Sequence, residues 1–142
     1  AQQLWDSTDP EIYLPYIVEG YGEILEPNTI LTIHSANDAQ VPMLSSDRAT
    51  RTAGIPVISS STRLPYDVEI VDGPITGSAL VYFDGDFPGV PEANIAPPQS
   101  QHSLAHNLIA GVTEVNEMVF GFLFTGIVEN TCGQICTFEA DW

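Results

Sequence analysis

The sequence predicts an all-β protein: a single-domain antiparallel β-sandwich or jelly roll with long loops and one small disulfide ring near the C-terminus. Eleven glycines and eleven prolines interrupt the 142-residue chain at short intervals. The segments between them are rich in Val, Ile, Thr, Tyr and Phe, which favour half-buried strands. Many short strands joined by Gly and Pro turns are typical of sandwiches and jelly rolls. The length is that of one domain.

The strands are predicted from runs of these residue types between turn signals. They cover residues 13–19, 21–25, 29–35, 56–60, 67–71, 78–83, 118–129 and 134–139. Residues 103–115 are ambiguous, because Leu104, Leu108, Val112 and Val115 have helical spacing while the same segment also alternates as a strand. We favour a strand there. Two segments, 37–54 and 88–103, are predicted to be long loops.

Two of the predicted strands, 78–83 and 118–129, are apolar on both faces. An antiparallel strand with one face in water alternates apolar and polar residues instead. Phe120, Phe122 and Phe124 would share one face of the second strand. The extra apolar face is covered either by another part of the same chain or by another subunit.

The N-terminal segment favours assembly. Residues 1–12 form a polar arm that leads into an apolar, strand-prone region, and such a segment can pair with the open sheet edge of a neighbouring subunit. The alternative is that it is the first strand of its own sandwich. The predicted assembly interface comprises Leu4, Trp5, Ile12, Tyr13, Leu14, Tyr16, Phe120, Phe122 and Phe124.

The charge of the chain excludes several classes of partner and chemistry. Nineteen acidic residues oppose three arginines, there is no lysine, and the net charge is −16. This charge repels nucleic acid and anionic lipid. Without lysine the chain has no P-loop and no Schiff-base chemistry. No apolar run approaches the roughly 20 residues that a membrane-spanning helix needs.

The termini predict a secreted protein that is extracellular or on the cell surface. The chain begins Ala-Gln-Gln, which is typical of a mature N-terminus after removal of a signal peptide. Cys132 and Cys136 are separated by three residues and are predicted to form a small disulfide ring, as expected outside the reducing cytosol.

Two groups of residues are candidate metal ligands. Asp84, Asp86 and Glu92 offer oxygen ligands in a segment that resembles part of a Ca²⁺ loop, although an Asp-Gly turn with solvated carboxylates explains the same residues. His102 and His106 are four residues apart and would share one face of a helix, where they could bind a transition metal. Ordinary surface or core histidines are the alternative.

Signals for catalysis are weak. The chain has no Gly-x-Ser-x-Gly elbow, and neither the serines at 59–61 nor Asp47 lie in a recognisable triad motif. We therefore predict a structural subunit, not an enzyme, whose copies assemble into a surface filament, pilus-like fibre or coat. One alternative is a calcium-dependent adhesion or carbohydrate-binding module with a glycan ligand. Another is a small secreted hydrolase, for which any two of the acidic residues could meet in a cleft.

Overall fold

The fold is mixed α/β, so the prediction of an all-β sandwich is wrong. The computed structural model describes residues 9–87, 89 and 104–139. A 3₁₀ turn, Pro10–Tyr13, comes first, and a second, Ile109–Gly111, separates the last two helices. The helices are α1 Leu14–Glu19, α2 Met43–Ala53, α3 Leu104–Leu108 and α4 Thr113–Thr125. The strands are β1 Leu31–Ser35, β2 Val57–Ile58, β3 Ile70–Val71, β4 Ile75–Thr76, β5 Ala79–Phe83 and β6 Ile127–Val128.

A parallel sheet forms the centre of the fold. Four strands lie in the order β1-β5-β2-β3 and all run in the same direction. The longest pairing joins β1 to β5, from Leu31 opposite Ala79 to Ser35 opposite Phe83. A separate antiparallel pair is formed by β4 and β6. Within the described residues, β1 is therefore an edge of the four-stranded sheet.

Strand β5 is buried on both faces by its own chain. Val81 and Phe83 pack in the same cluster as Val115 and Met118 of α4. On the opposite face, Leu80 and Tyr82 pack with Val57 and Met43, the last at the start of α2. Strands of parallel sheets that are covered on both sides read as continuous apolar runs rather than as alternating ones. This explains the doubly apolar segment 78–83 without another subunit.

The strand predicted at 118–129 is mostly helix. Residues through Thr125 belong to α4, Gly126 ends it with φ 69°, and only Ile127 and Val128 form a strand. Val115, Met118, Val119 and Phe122 pack on the core at helical spacing. The segment therefore has the residue types of a strand, but its buried apolar residues lie along one face of a helix. Phe120, Phe122 and Phe124 cannot share one face as they would in a strand.

Two other predicted segments are also wrong. Residues 13–19, predicted as a strand, form the end of the first 3₁₀ turn and α1; Asp9 caps the turn by accepting a hydrogen bond from the Glu11 N–H at 3.0 Å. The strand favoured over 103–115 is α3, the second 3₁₀ turn and the start of α4. Tyr21 and Leu25 form only an isolated bridge.

The predicted loop at 37–54 contains α2. The buried face of this helix consists of Ser46, Asp47, Thr50 and Ala53. Because three of these four residues are polar, no apolar periodicity indicated a helix. Gly54 follows with φ 66°, and its N–H bonds back to the carbonyl oxygens of Thr50 and Arg51. A left-handed residue after a helix favours glycine.

The C-terminal disulfide is confirmed. Cys132 and Cys136 are bonded, and Cys136 is fully buried. The Cys136 N–H donates to the Ser60 carbonyl at 2.8 Å, and its carbonyl accepts the Asp84 N–H at 3.0 Å. The strand predicted at 134–139 is limited to one bridge between Thr137 and Asp84. The ring thus holds the chain end against β5.

Two further observations complete the fold. In the described part of the chain no single helix is long and apolar enough to cross a membrane; only the pair Leu104–Gly111 and Thr113–Thr125, bent by 64°, passes when counted together. Residues 1–8, which hold most of the predicted polar arm, lie outside the described residues. The same applies to the predicted loop at 88–103, except for Gly89.

Breaking the disulfide should destabilise the protein moderately. A five-residue ring is expected to contribute about 2 kcal/mol by restricting the unfolded chain. The double variant Cys132→Ala/Cys136→Ala should therefore unfold at lower urea concentration, and reduction of the native protein should shift the midpoint in the same direction without changing any side chain. Equal midpoints for the oxidised and reduced protein would contradict the prediction.

Candidate functional site

An aspartate and a histidine meet where β1 ends. Asp38 lies three residues beyond β1, after Asn37, whose φ is 59°. His106 is in the middle of α3. The His106 Nδ1 lies 2.8 Å from the Asp38 Oδ2, although the two residues are 68 positions apart in sequence. This contact places the imidazole of His106 at the carboxyl end of a parallel strand. In α/β proteins, ligands commonly bind at this end of the sheet.

Asp38 is held firmly by its own loop. Its residue surface is 7% exposed, and its Oδ1 accepts hydrogen bonds from the N–H groups of Gln40 at 2.7 Å and Val41 at 3.0 Å. The other oxygen is left for His106. A carboxylate fixed in this way favours the tautomer of His106 with the proton on Nδ1. The Nε2 atom is then a proton acceptor, and no described residue forms a hydrogen bond with it.

A small cavity adjoins the pair. Its volume is about 210 Å³, and both Asp38 and His106 line it. Ile33 and Ile109 contribute apolar wall, and His34 and Val41 complete its inner side. The His106 side chain is 41% exposed. The imidazole is therefore accessible while the carboxylate behind it is buried.

His34 lies on β1 behind this cavity. Its Nδ1 is 3.2 Å from the Ser46 Oγ of α2, and its ring packs on Tyr82 with 5.6 Å between centroids. Burial lowers the pKa of His34, although the negative charges of Asp38 and Asp47 partly oppose the shift. Burial disfavours the charged form of histidine. His34 is thus a neutral wall residue near neutral pH.

Asp47 connects α2 to the sheet and to the loop after β2. Arg63 donates to both of its oxygens, with Nε–Oδ1 and Nε–Oδ2 distances of 3.2 and 3.1 Å. The hydroxyl of Tyr82 donates to Oδ1 at 2.8 Å. Burial alone would raise the pKa of Asp47, but the hydrogen bonds from Arg63 and Tyr82 outweigh it and lower the pKa. Burial and the bond to Asp47 raise the pKa of Tyr82. The Asp47 side chain therefore holds α2 against β5 and against the loop after β2.

Of the three predicted Ca²⁺ ligands, the structure describes Asp84 and Asp86. Asp84 accepts a hydrogen bond from the Asp86 N–H at 2.9 Å, which is the geometry of a tight turn. Glu92 and His102 lie outside the described residues. Within residues 9–87, 89 and 104–139, no group of three or more His, Cys, Asp or Glu side chains could hold a metal ion. Calcium binding stays a prediction.

The predicted assembly residues are scattered. Leu4 and Trp5 lie outside the described residues, whereas Ile12, Tyr13 and Tyr16 are exposed and Leu14 is half-buried. Phe122 packs partly on the core, and Phe120 and Phe124 are exposed on α4. Self-assembly itself stays a prediction, but it cannot use the strand face on which it was based.

The sequence did not reveal Asp38 and His106 as a pair. No short motif joins them, because they are 68 positions apart in sequence. Two signals were available: Asp38 closely follows a predicted strand, and His106 was a candidate metal ligand together with His102. No known family model, no curated protein and no solved structure matches this chain. The function is therefore inferred from the geometry of Asp38, His106 and the cavities beside them.

Removing Arg63 should destabilise the fold. Arg63→Gln leaves the Asp47 carboxylate, whose side chain is 6% exposed, with Tyr82 as its remaining side-chain partner. We expect a loss of about 1–3 kcal/mol in urea unfolding, below the full cost of an orphaned buried charge because Arg63 itself is partly exposed. The matched control is Arg48→Gln, which breaks the exposed pair with Glu11 and should cost about 0–1 kcal/mol. Equal losses of unfolding free energy in the two variants would show that the contact between Arg63 and Asp47 does not stabilise the fold.

His34 should make stability depend on pH. Its pKa is lower in the folded protein than the ordinary value of 6.5. Below that value the unfolded chain binds the proton more readily, so stability is complete above pH 6.5 and falls as the pH drops towards the folded pKa. His34→Gln should flatten the change in urea midpoint between about pH 7.5 and about pH 5.5. An unchanged slope in this variant would show that other groups control it.

Proposed function

We propose that this chain carries the acid–base pair of an extracellular hydrolase that cleaves carboxylic esters. The observation that supports the proposal is the 2.8 Å contact between the His106 Nδ1 and the Asp38 Oδ2. A buried carboxylate bonded to Nδ1 orients the ring and leaves Nε2 to exchange protons with the substrate. A small secreted hydrolase was among the functions that the composition left open.

The reaction follows from these roles. The Nε2 of His106 takes the proton from an attacking hydroxyl group, either water or a side-chain hydroxyl, as its oxygen bonds to the ester carbonyl carbon. The bond from that carbon to the alkoxy oxygen then breaks. The imidazolium returns the proton to the leaving alkoxide, which departs as an alcohol. When water supplies the hydroxyl, directly or in a second step, ester and water become acid and alcohol.

The charge of the chain favours neutral substrates. A net charge of −16 opposes the approach of phosphate esters and other anions. A neutral carboxylic ester meets no such barrier. The absence of lysine removes Schiff-base chemistry as an alternative use of the same pocket.

A structural subunit stays a prediction beside this one. Three large apolar side chains of α4, Phe120, Leu123 and Phe124, are 57%, 69% and 85% exposed. Clustered exposed apolar side chains favour contact with another molecule. Such a contact is compatible with hydrolysis, because these residues are not among those lining the cavity of Asp38 and His106.

The test is hydrolysis of p-nitrophenyl acetate and butyrate by the native protein. We expect Asp38→Asn and His106→Gln each to lower kcat/KM by about 10²- to 10⁴-fold, because one loses the orienting charge and the other the base. The matched control is Asp86→Asn, an exposed aspartate of the predicted Ca²⁺ loop. It should leave kcat/KM unchanged, as should EDTA.

Two outcomes would overturn the proposal. The first is the absence of hydrolysis by the native protein on every ester tried. The second is hydrolysis that survives both Asp38→Asn and His106→Gln at the native rate, with urea midpoints showing that all variants are folded. Loss of activity in Asp86→Asn or in EDTA would indicate metal-dependent chemistry instead.

A further inference from the structure

A second, larger cavity lies beside the pair. It has a volume of about 360 Å³ and is enclosed by the first 3₁₀ turn, β1 and α2. This is at the lower end of the roughly 300–1,000 Å³ range of ligand pockets in proteins. Its apolar lining residues are Leu14, Ile30, Val41, Ala49, Ala53 and Ile55.

This cavity adjoins the one lined by Asp38 and His106. His34 and Val41 line both cavities. His34 is held in place by Ser46 and Tyr82, and the Val41 N–H is one of the two that donate to Asp38. A ligand in the larger cavity therefore contacts two residues that also line the cavity of Asp38 and His106.

Three of the hydroxyl side chains that line the larger cavity already form hydrogen bonds within the protein. The Ser45 hydroxyl donates to the Pro42 carbonyl at 2.7 Å, and the Thr32 hydroxyl donates to the Ala79 carbonyl at 3.3 Å. Ser46 is bonded to His34. A sugar would need free donors and acceptors in these places, because polar groups that lose water without a partner are costly to bury. The cavity suits an aliphatic group.

The rim of the cavity is acidic. Asp9 and Glu11 both line it, and Glu11 is paired with Arg48 at 2.8 Å while Asp9 caps the first turn. Among the described residues that line this cavity there is no arginine. Free fatty acids and other anions are therefore disfavoured, and an uncharged aliphatic chain is favoured.

We propose that the cavity formed by the first 3₁₀ turn, β1 and α2 binds the short to medium aliphatic acyl chain of a neutral ester, with the ester group directed towards His106. The proposal rests on the hydrolase function above for its catalytic consequence. Ala49 controls the space available, because it is half-buried on α2 and its methyl group lines the cavity.

The experiment compares Ala49→Phe with Thr52→Phe. The second variant adds the same ring on the exposed side of α2, outside the cavity. For the native protein and Thr52→Phe, kcat/KM should rise from p-nitrophenyl acetate to the octanoate ester. In Ala49→Phe, kcat/KM for octanoate should fall by at least about tenfold while that for acetate changes less than about threefold, since the added ring occupies only the space of the long chain.

A binding measurement separates this inference from the proposed function. Octyl methyl ketone keeps the carbonyl and the chain but cannot be hydrolysed, and calorimetric titration gives its Kd. We expect Ala49→Phe to weaken this binding at least about tenfold and Thr52→Phe to leave it unchanged. If no ester is hydrolysed but the ketone binds with this pattern, the proposed function fails and the aliphatic site stands. Failure of the native protein to bind the ketone, or an unchanged chain-length preference in Ala49→Phe, would overturn the inference.

Discussion

The burial of β5 on both faces is the constraint on which the rest of the structure depends. Every residue from Ala79 to Phe83 is buried, so both sides of this strand must be covered by the same chain. Helix α4 supplies apolar cover on one side. On the other side, Tyr82 brings a hydroxyl group into the interior, and the buried phenol needs a partner. That requirement explains why α2 presents Asp47 inward, and why Arg63 then completes the cluster.

The polar packing of α2 also shapes the candidate site. Because Ser46 and Asp47 are directed at the sheet, β1 can carry His34 on the same side as Tyr82. The chain between β1 and α2 must turn sharply, and Asp38 closes that turn by accepting two N–H groups. The second oxygen of its carboxylate is left for His106. Asp38 thus closes the turn between β1 and α2 and also orients the His106 imidazole.

Several elements were predictable because their signals are local. The residues of β1, β2, β3 and β5 lie within predicted strands, and the four-residue spacing of the cysteines was enough to predict the disulfide. The prediction missed the helices α4 and α2 for opposite reasons. In α4 the apolar residues satisfy both strand alternation and helical spacing, and burial on the core selected the helix. In α2 the buried face is mostly polar, so the sequence has no apolar residues at helical spacing that would predict the helix.

By itself, the sequence determined the chemistry that this chain lacks and the approximate positions of β1, β2, β3 and β5. The absence of lysine, the net charge of −16 and the position of the two cysteines follow from composition and order along the chain. Only the tertiary structure decided the parallel sheet, the cover on both faces of β5 and the contact between Asp38 and His106. The physical reason is that a contact across 68 positions depends on which strands pair and which way they run. Local residue preferences do not specify that choice, whereas packing of the whole core does.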